Sequence, residues 1–206
     1  MSSIDPYGKP AGNLENDMTL KTLITAAVTA TAFAGTAMAE SHAGTENPMV
    51  GGAAMFPDKT IVENALNSAD HTTLVAAVKA ADLVDTLMGE GPFTVFAPTN
   101  AAFDRISDES LNALLQPQAK AQLTQILTCH VVAANVMSDA IAGMIVDDGG
   151  MHPVPTVGGC TLQAKMMGSK ITLTDENGRT ATVTIADVRQ SNGVIHVVAR
   201  VLLPAQ

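Results

Sequence analysis

Residues Gly89 to Phe103 read GEGPFTVFAPTNAAF, and two incompatible structures share that composition. One is a glycine-rich cradle for phosphate; the other is a strand whose polar turn caps a helix. Phe93 to Ala97 has the aromatic and β-branched content of a strand, and Pro98, with no amide to donate, ends it. Thr99 or Asn100 then caps a helix starting near Ala101. A phosphate loop needs its glycines after the strand, at the helix entrance, where backbone amides can face the ligand. Here Gly89 and Gly91 come before the strand, and no Gly-Lys-Ser/Thr follows. The stretch therefore reads as a structural corner.

Upstream the texture is helical. Thr60-Ile61-Val62-Glu63 has the spacing of a capping box, in which hydroxyl and carboxylate each satisfy a free amide. HTTLVAAVKAADL predicts a helix with Leu74, Val75 and Val78 on one face and Thr72 or Thr73 as cap. DLVDTLMG predicts a short helix with Asp82 at its entry and Gly89 at its exit. Downstream, SDESLNALL after Ser107 and PQAKAQLTQILTCH from Pro117 predict two more helices, the second burying Leu123, Ile126 and Leu127.

After His130 the pattern changes. HVVAANV is strand-like, and the segment through Ile145 and DDGGMHPVP reads as irregular. From Cys160 onward apolar residues alternate with polar ones, as in SKITLTDENGRTATVTIADV, with Asn177-Gly178 as a hairpin turn. Asn192-Gly193 forms a second turn before a long final strand containing His196. Helices first and hairpins afterwards predict an α+β domain.

Export is legible at the other end. MTLKTLITAAVTATAFAGTAMA, Met18 to Ala39, has a lysine, a short apolar run and Ala-Met-Ala at the cleavage position, the pattern of a bacterial secretory signal peptide. The run is interrupted by threonines and too short to predict a membrane span, so no transmembrane segment is expected in the mature protein. Residues 1–17 read as a leader outside the fold, and 40–54 as a flexible mature tail. Residues 55–206, about 150 residues, make one domain. The net charge of −9 repels phosphate backbones and disfavours nucleic acid as a partner. Cys129 and Cys160 are the chain's two cysteines; in an oxidising compartment they either form a disulfide or stay as two buried thiols.

No catalytic constellation emerges. There is no Gly-x-Ser-x-Gly elbow, and His42, His71, His130, His152 and His196 lack the spacing that puts two imidazoles on one helix face. Each histidine reads as a hydrogen-bonded structural residue in preference to a ligand gathered from distant strands. Asp147-Asp148 and Asp175-Glu176-Asn177-Gly178 lack the ligand spacing of a calcium loop. Neither metal nor cofactor is expected, and the reading is non-enzymatic.

Three strings carry a family likeness. TLVAAVKAADLVDTLMGEGPFTVFAPTNAAF (73–103), LTCHVVAANVMSDAI (127–141) and SNGVIHVVARVLLP (191–204) resemble, in order and spacing, the signatures of fasciclin domains. The resemblance implies a wedge of two β-sheets packed against a cluster of helices. It also implies an exported adhesion or protein–protein interaction module acting at a cell surface or matrix, with an integrin-like or bacterial envelope partner. A periplasmic small-ligand-binding or accessory protein, or a structural envelope protein, is the alternative. Phe93, Val95, Phe96, Pro98, Thr99, Asn100, Phe103, Asn192, Gly193 and His196 become structural residues of the motif. In animal members an Asp-Ile pair and a Tyr-His region are implicated in integrin binding; the matching positions here are Asp187-Val188 and Cys129-His130. The isoleucine and the tyrosine are thus replaced, and a Cys129–Cys160 bridge would tie the second region to the sheet covalently.

Overall fold

The computed structural model describes residues 47–205; the expectations for the leader, the signal peptide and residues 40–46 fall outside them. The chain opens with β1 (Met49–Val50), β2 (Ala53–Ala54), α1 (Ile61–Ala65), α2 (Thr72–Ala80) and α3 (Val84–Met88). It continues through β3 (Phe93–Pro98), α4 (Asn100–Phe103), α5 (Asp108–Leu114), α6 (Lys120–Thr128), β4 (Val131–Val132) and α7 (Ser138–Asp147). β5 (His152–Pro155), β6 (Thr161–Met167), β7 (Lys170–Thr174), β8 (Thr180–Gln190) and β9 (Gly193–Val198) complete it. The result is the α+β class.

The last seven strands form one sheet in the order β4-β3-β9-β8-β7-β6-β5, antiparallel except where β3 runs parallel to β9. The two halves of the wedge are joined along β8. Its first residues pair with β7, and from Val183 onward it pairs with β9, with register breaks between Val183, Ile185 and Val188. Such bulges bend and twist a strand, so the halves present separate faces. One half, with Val95, Ala97, Ile195 and Val197, packs under α1, α2 and α6 through Ile61, Leu74, Val78, Leu123 and Leu127. The other packs Leu162, Ala164, Leu173 and Val183 against Ile141 and Ile145 of α7.

The opening stretch sits where β3 meets β9. A β-carbon on Gly193 would lie 2.0 Å from the Phe93 carbonyl oxygen, and one on Gly91 would lie 1.9 Å from that of Asn192. Both glycines are therefore required by close backbone approach. Asn192 is buried between them. Its amide nitrogen donates to the carbonyls of Leu87 (2.8 Å) and Gly89 (3.0 Å), and its oxygen accepts the Ile61 amide (3.0 Å). One turn residue thus ties the start of α1 and the end of α3 to the sheet.

The capping box at Thr60 and Glu63 is formed, and Ser107 caps α5. Thr99 caps α4 by accepting from the Ala102 amide. Asn100 acts elsewhere: its oxygen accepts the Thr73 amide (3.0 Å) and its nitrogen donates to the Ala69 carbonyl (2.9 Å). The cap expected of Thr72 or Thr73 is therefore supplied from 27 residues away. On α2, Leu74, Ala77 and Val78 are buried while Val75 is half-buried, because the stripe is rotated towards the small alanine.

Three expectations are corrected. Residues 47–54 are no loose tail: β1 and β2 pair, Gly51 and Gly52 turn the chain at φ 58° and 77°, and Val50 is buried. Two-residue strands are too short to show alternation, so composition alone reads them as a tail. The segment read as irregular contains the ten-residue helix α7 and the strand β5. HVVAANV is strand only at Val131–Val132, and His130 lies in the turn leaving α6.

Cys129 follows α6 and Cys160 precedes β6; the two are joined by a disulfide, with Cα atoms 5.4 Å apart and a sequence separation of 31. Closing a loop of that length restricts the unfolded chain by about 4 kcal/mol in the loop-entropy treatment. The double variant Cys129→Ala/Cys160→Ala is expected to lose about 3–4 kcal/mol of unfolding free energy in urea titrations. Thiol labelling of the denatured, unreduced parent protein should find no free sulfhydryl.

Candidate functional site

Of the residues singled out for interaction, Asp187 and Val188 lie at the bulge of β8, and His130 lies apart from them, bonded to Ile126 and Leu202. Asp187 holds a left-handed backbone at φ 60°, a conformation that aspartate tolerates better than most residues. Its carboxylate accepts the Ser138 amide at 2.7 Å and also the Ser138 hydroxyl. Ser138 is the first residue of α7, whose preceding Met137 offers no side-chain cap. Asp187 therefore caps α7 from the sheet, where a carboxylate is also favoured by the helix dipole.

The Asp187 amide donates to Nδ1 of His196 (3.2 Å), and Nε2–H of that ring donates to the Val136 carbonyl (2.9 Å). His196 is fully enclosed and stacks on Phe96, with ring centroids 5.7 Å apart. Thr94 closes the same loop from β3, donating to the Ala134 carbonyl (2.6 Å) and accepting the Val136 amide (2.9 Å). Asp187, His196 and Thr94 together hold residues 134–138 against the sheet. Ser138, His196 and Asp187 are the residue types of a hydrolase triad, but Ser138 bonds to the carboxylate and the imidazole bonds to backbone. The serine has no imidazole to take its proton, which a nucleophile of the serine–histidine kind requires.

His130 occupies a second enclosed position. Its Nδ1–H donates to the Ile126 carbonyl (2.8 Å), and Nε2 accepts the Leu202 amide (2.9 Å), fastening the C-terminal segment to α6. His130 and Val188 are buried, so neither offers a contact surface; Asp187 is half-buried. Asp175, whose loop fails the calcium spacing, has a larger structural part. Its carboxylate accepts the amides of Asn177, Arg179 and Leu203 and the Arg179 guanidinium. The sequence signal for this is an aspartate three residues before a turn glycine, a common Asx-turn pattern.

Three buried imidazoles share one electrostatic character. Burial holds His71, His130 and His196 below the ordinary histidine range, His130 at about 4. Carbonyl partners and nearby aspartates oppose that shift without reversing it. His71 bonds through Nδ1 to the Ser68 hydroxyl (2.8 Å), and its Nε2 makes no full hydrogen bond, the Ala97 carbonyl being its polar neighbour. Among the described residues, no group of three or more His, Cys, Asp or Glu side chains is placed to hold a metal ion. None of the described helices is long and apolar enough to cross a membrane. An apolar cavity of about 80 Å³ lies under α1, α2 and α3, walled by residues such as Leu74, Val78, Leu87, Phe93 and Leu127.

This architecture has known relatives. The model of the Fasciclin domain matches residues 69–204, and the chain belongs to the fasciclin domain family. Protein sll1483 of Synechocystis sp. is 42% identical over 168 residues, covering 82% of this chain and 86% of that protein. Transforming growth factor-beta-induced protein ig-h3 of Sus scrofa is 35% identical over 134 residues, 64% of this chain and 17% of that protein. Among solved structures, the FAS1 domain pair of the insect cell adhesion molecule Fasciclin I matches with a TM-score of 0.50 and 26% identity. The match covers 63% of this chain and 43% of the pair.

Two outcomes follow from the geometry. Asp187→Ala removes the α7 cap and should destabilise the fold by about 1–2 kcal/mol. Asp187→Asn keeps an acceptor and tolerates the left-handed backbone, so it should cost less; paired urea titrations measure both. The histidines set a pH dependence. A histidine depressed in the folded state takes up protons preferentially when unfolded, so its stabilising contribution is complete above pH 6.5 and is lost on acidification. For His130 the loss runs from about pH 6.5 down to about 4 and amounts to something on the order of 3 kcal/mol. His71 and His196 act in the same direction. Unfolding midpoints measured between pH 7 and pH 5.5, above the range where Glu63, held below its ordinary value by its Thr60 hydrogen bonds, starts to contribute, should fall continuously.

Proposed function

We propose that the domain is an exported, non-catalytic adhesion or protein-interaction module, binding a partner on a cell surface or in extracellular matrix. The observation that carries this reading is the likeness of its fold to the domain pair of an insect cell adhesion molecule. The geometry of the β8 bulge agrees with it. Asp187 is clamped through carboxylate and amide, and Ala186 and Arg189 beside it are exposed. A rigid surface loses little conformational entropy on docking, which favours affinity from a few anchoring side chains. The signal-peptide pattern at Met18–Ala39 supports delivery to the periplasm or the cell exterior.

Beads coated with the folded protein should attach to the producing cells, or to their envelope material, well above uncoated beads. Beads carrying the heat-unfolded, reduced protein should not. Equal attachment by folded, unfolded and uncoated beads would overturn the reading.

The apolar cavity under α2 favours a second reading, a carrier of a small apolar ligand. A compound seated there at a hundred times its Kd would stabilise the fold by about 2.7 kcal/mol. A rise in Tm with small apolar compounds, alongside bead attachment no better than background, would favour that alternative.

A further inference from the structure

An open groove of about 450 Å³ lies between α5, α6, the β7–β8 turn and the C-terminal segment. It is spatially separate from the α2 cavity and from the Asp187 corner, sharing no lining residue with the first. Ile106, Leu114, Ile126 and Leu203 contribute apolar wall, while Arg105 and Arg179 contribute two guanidinium groups. That concentration of positive charge stands out in a chain with 11 basic and 20 acidic residues.

The two arginines are incompletely matched by the protein itself. Arg105 is exposed and makes no ion pair among the described residues. Arg179 makes one, its Nε donating to Asp175 at 3.1 Å. The Asp175 carboxylate also accepts three backbone amides and takes only Nε of the guanidinium. Nη2 of Arg179 is enclosed and has no hydrogen-bond acceptor. That atom is closed to the groove, and it is the exposed third of the Arg179 side chain, together with Arg105, that can meet an anion there.

We propose that this groove binds a small amphiphilic carboxylate, the anionic head between Arg105 and Arg179 and the apolar body along Leu114 and Ile126. Guanidinium forks match the planar, two-oxygen head of a carboxylate. The apolar wall accounts for a hydrocarbon body that an inorganic anion lacks, and the volume falls in the usual range for small-molecule sites, about 300–1,000 Å³. This site is independent of partner binding at the β8 bulge.

Calorimetric titration of the purified protein with octanoate, octanol and acetate tests the assignment. Octanoate is expected to saturate one site, and octanol and acetate to bind at least tenfold more weakly, because each lacks half of the recognition. Extending the chain from hexanoate to octanoate should tighten binding roughly fourfold per added methylene. Arg105→Gln should weaken octanoate at least fivefold, and Ala113→Trp, an exposed position lining the groove, should abolish its binding. Both variants should keep the parent urea midpoint, since both side chains are exposed. Three results would overturn the proposal: no octanoate binding, octanol binding as tightly as octanoate, or octanoate binding unchanged in both variants. The last would move the ligand to the apolar cavity under α2.

Discussion

The parallel contact of β3 with β9 is the constraint on which the remaining structure depends. Two segments a hundred residues apart lie side by side only because Gly91 and Gly193 let backbone approach backbone without a β-carbon between them. Parallel pairing of this kind closes a long loop and gives little local stabilisation until both strands are in place. Asn192 reinforces it by satisfying two carbonyls at the end of α3 and one amide at the start of α1. The helices packed on β3 and β9 and the hairpin strands that continue the sheet beyond β8 are thereby joined through the same two strands.

A second theme is the use of polar side chains to fasten irregular backbone. Buried backbone groups outside helices and strands need partners, and in this domain single side chains supply several at once. Asp187 caps α7, His196 and Thr94 hold the loop before it, Asp175 collects three amides, and His130 pins the C-terminal segment. The two histidines with bonded partners on both nitrogens carry opposite tautomers. His196 is protonated on Nε2 and His130 on Nδ1, and in each the other nitrogen accepts a backbone amide. A proton added to either ring would face an existing N–H, which is the geometric counterpart of their depressed basicity. The same side chains that suggest chemistry by type are thus engaged in holding the fold together.

Local signals are legible wherever the causal contact is itself local. The capping box at Thr60–Glu63, the Ser107 cap, the buried stripe of α6 and the Asn177-Gly178 hairpin all depend on residues within a few positions of one another. α7 has no local start signal because its cap comes from Asp187, 49 residues away, and its sequence contains Gly143 and begins after an uncapped Met137. The cap of α2 is hidden from local sequence for the same reason, since Asn100 rather than Thr72 or Thr73 accepts the free amide. The β1–β2 hairpin is too short for any period to register.

By itself, the order of residues determined the α+β class, the helix starts with their own capping side chains, the turns at asparagine-glycine pairs and the family likeness. Each follows from neighbours along the chain. Tertiary structure alone decided that His130 and Val188 are enclosed, that Asp187 is a helix cap, that Cys129 reaches Cys160 and that Arg105 and Arg179 share a groove. Those facts depend on which distant segments the β3–β9 pairing brings together, and no local period or spacing encodes that distance.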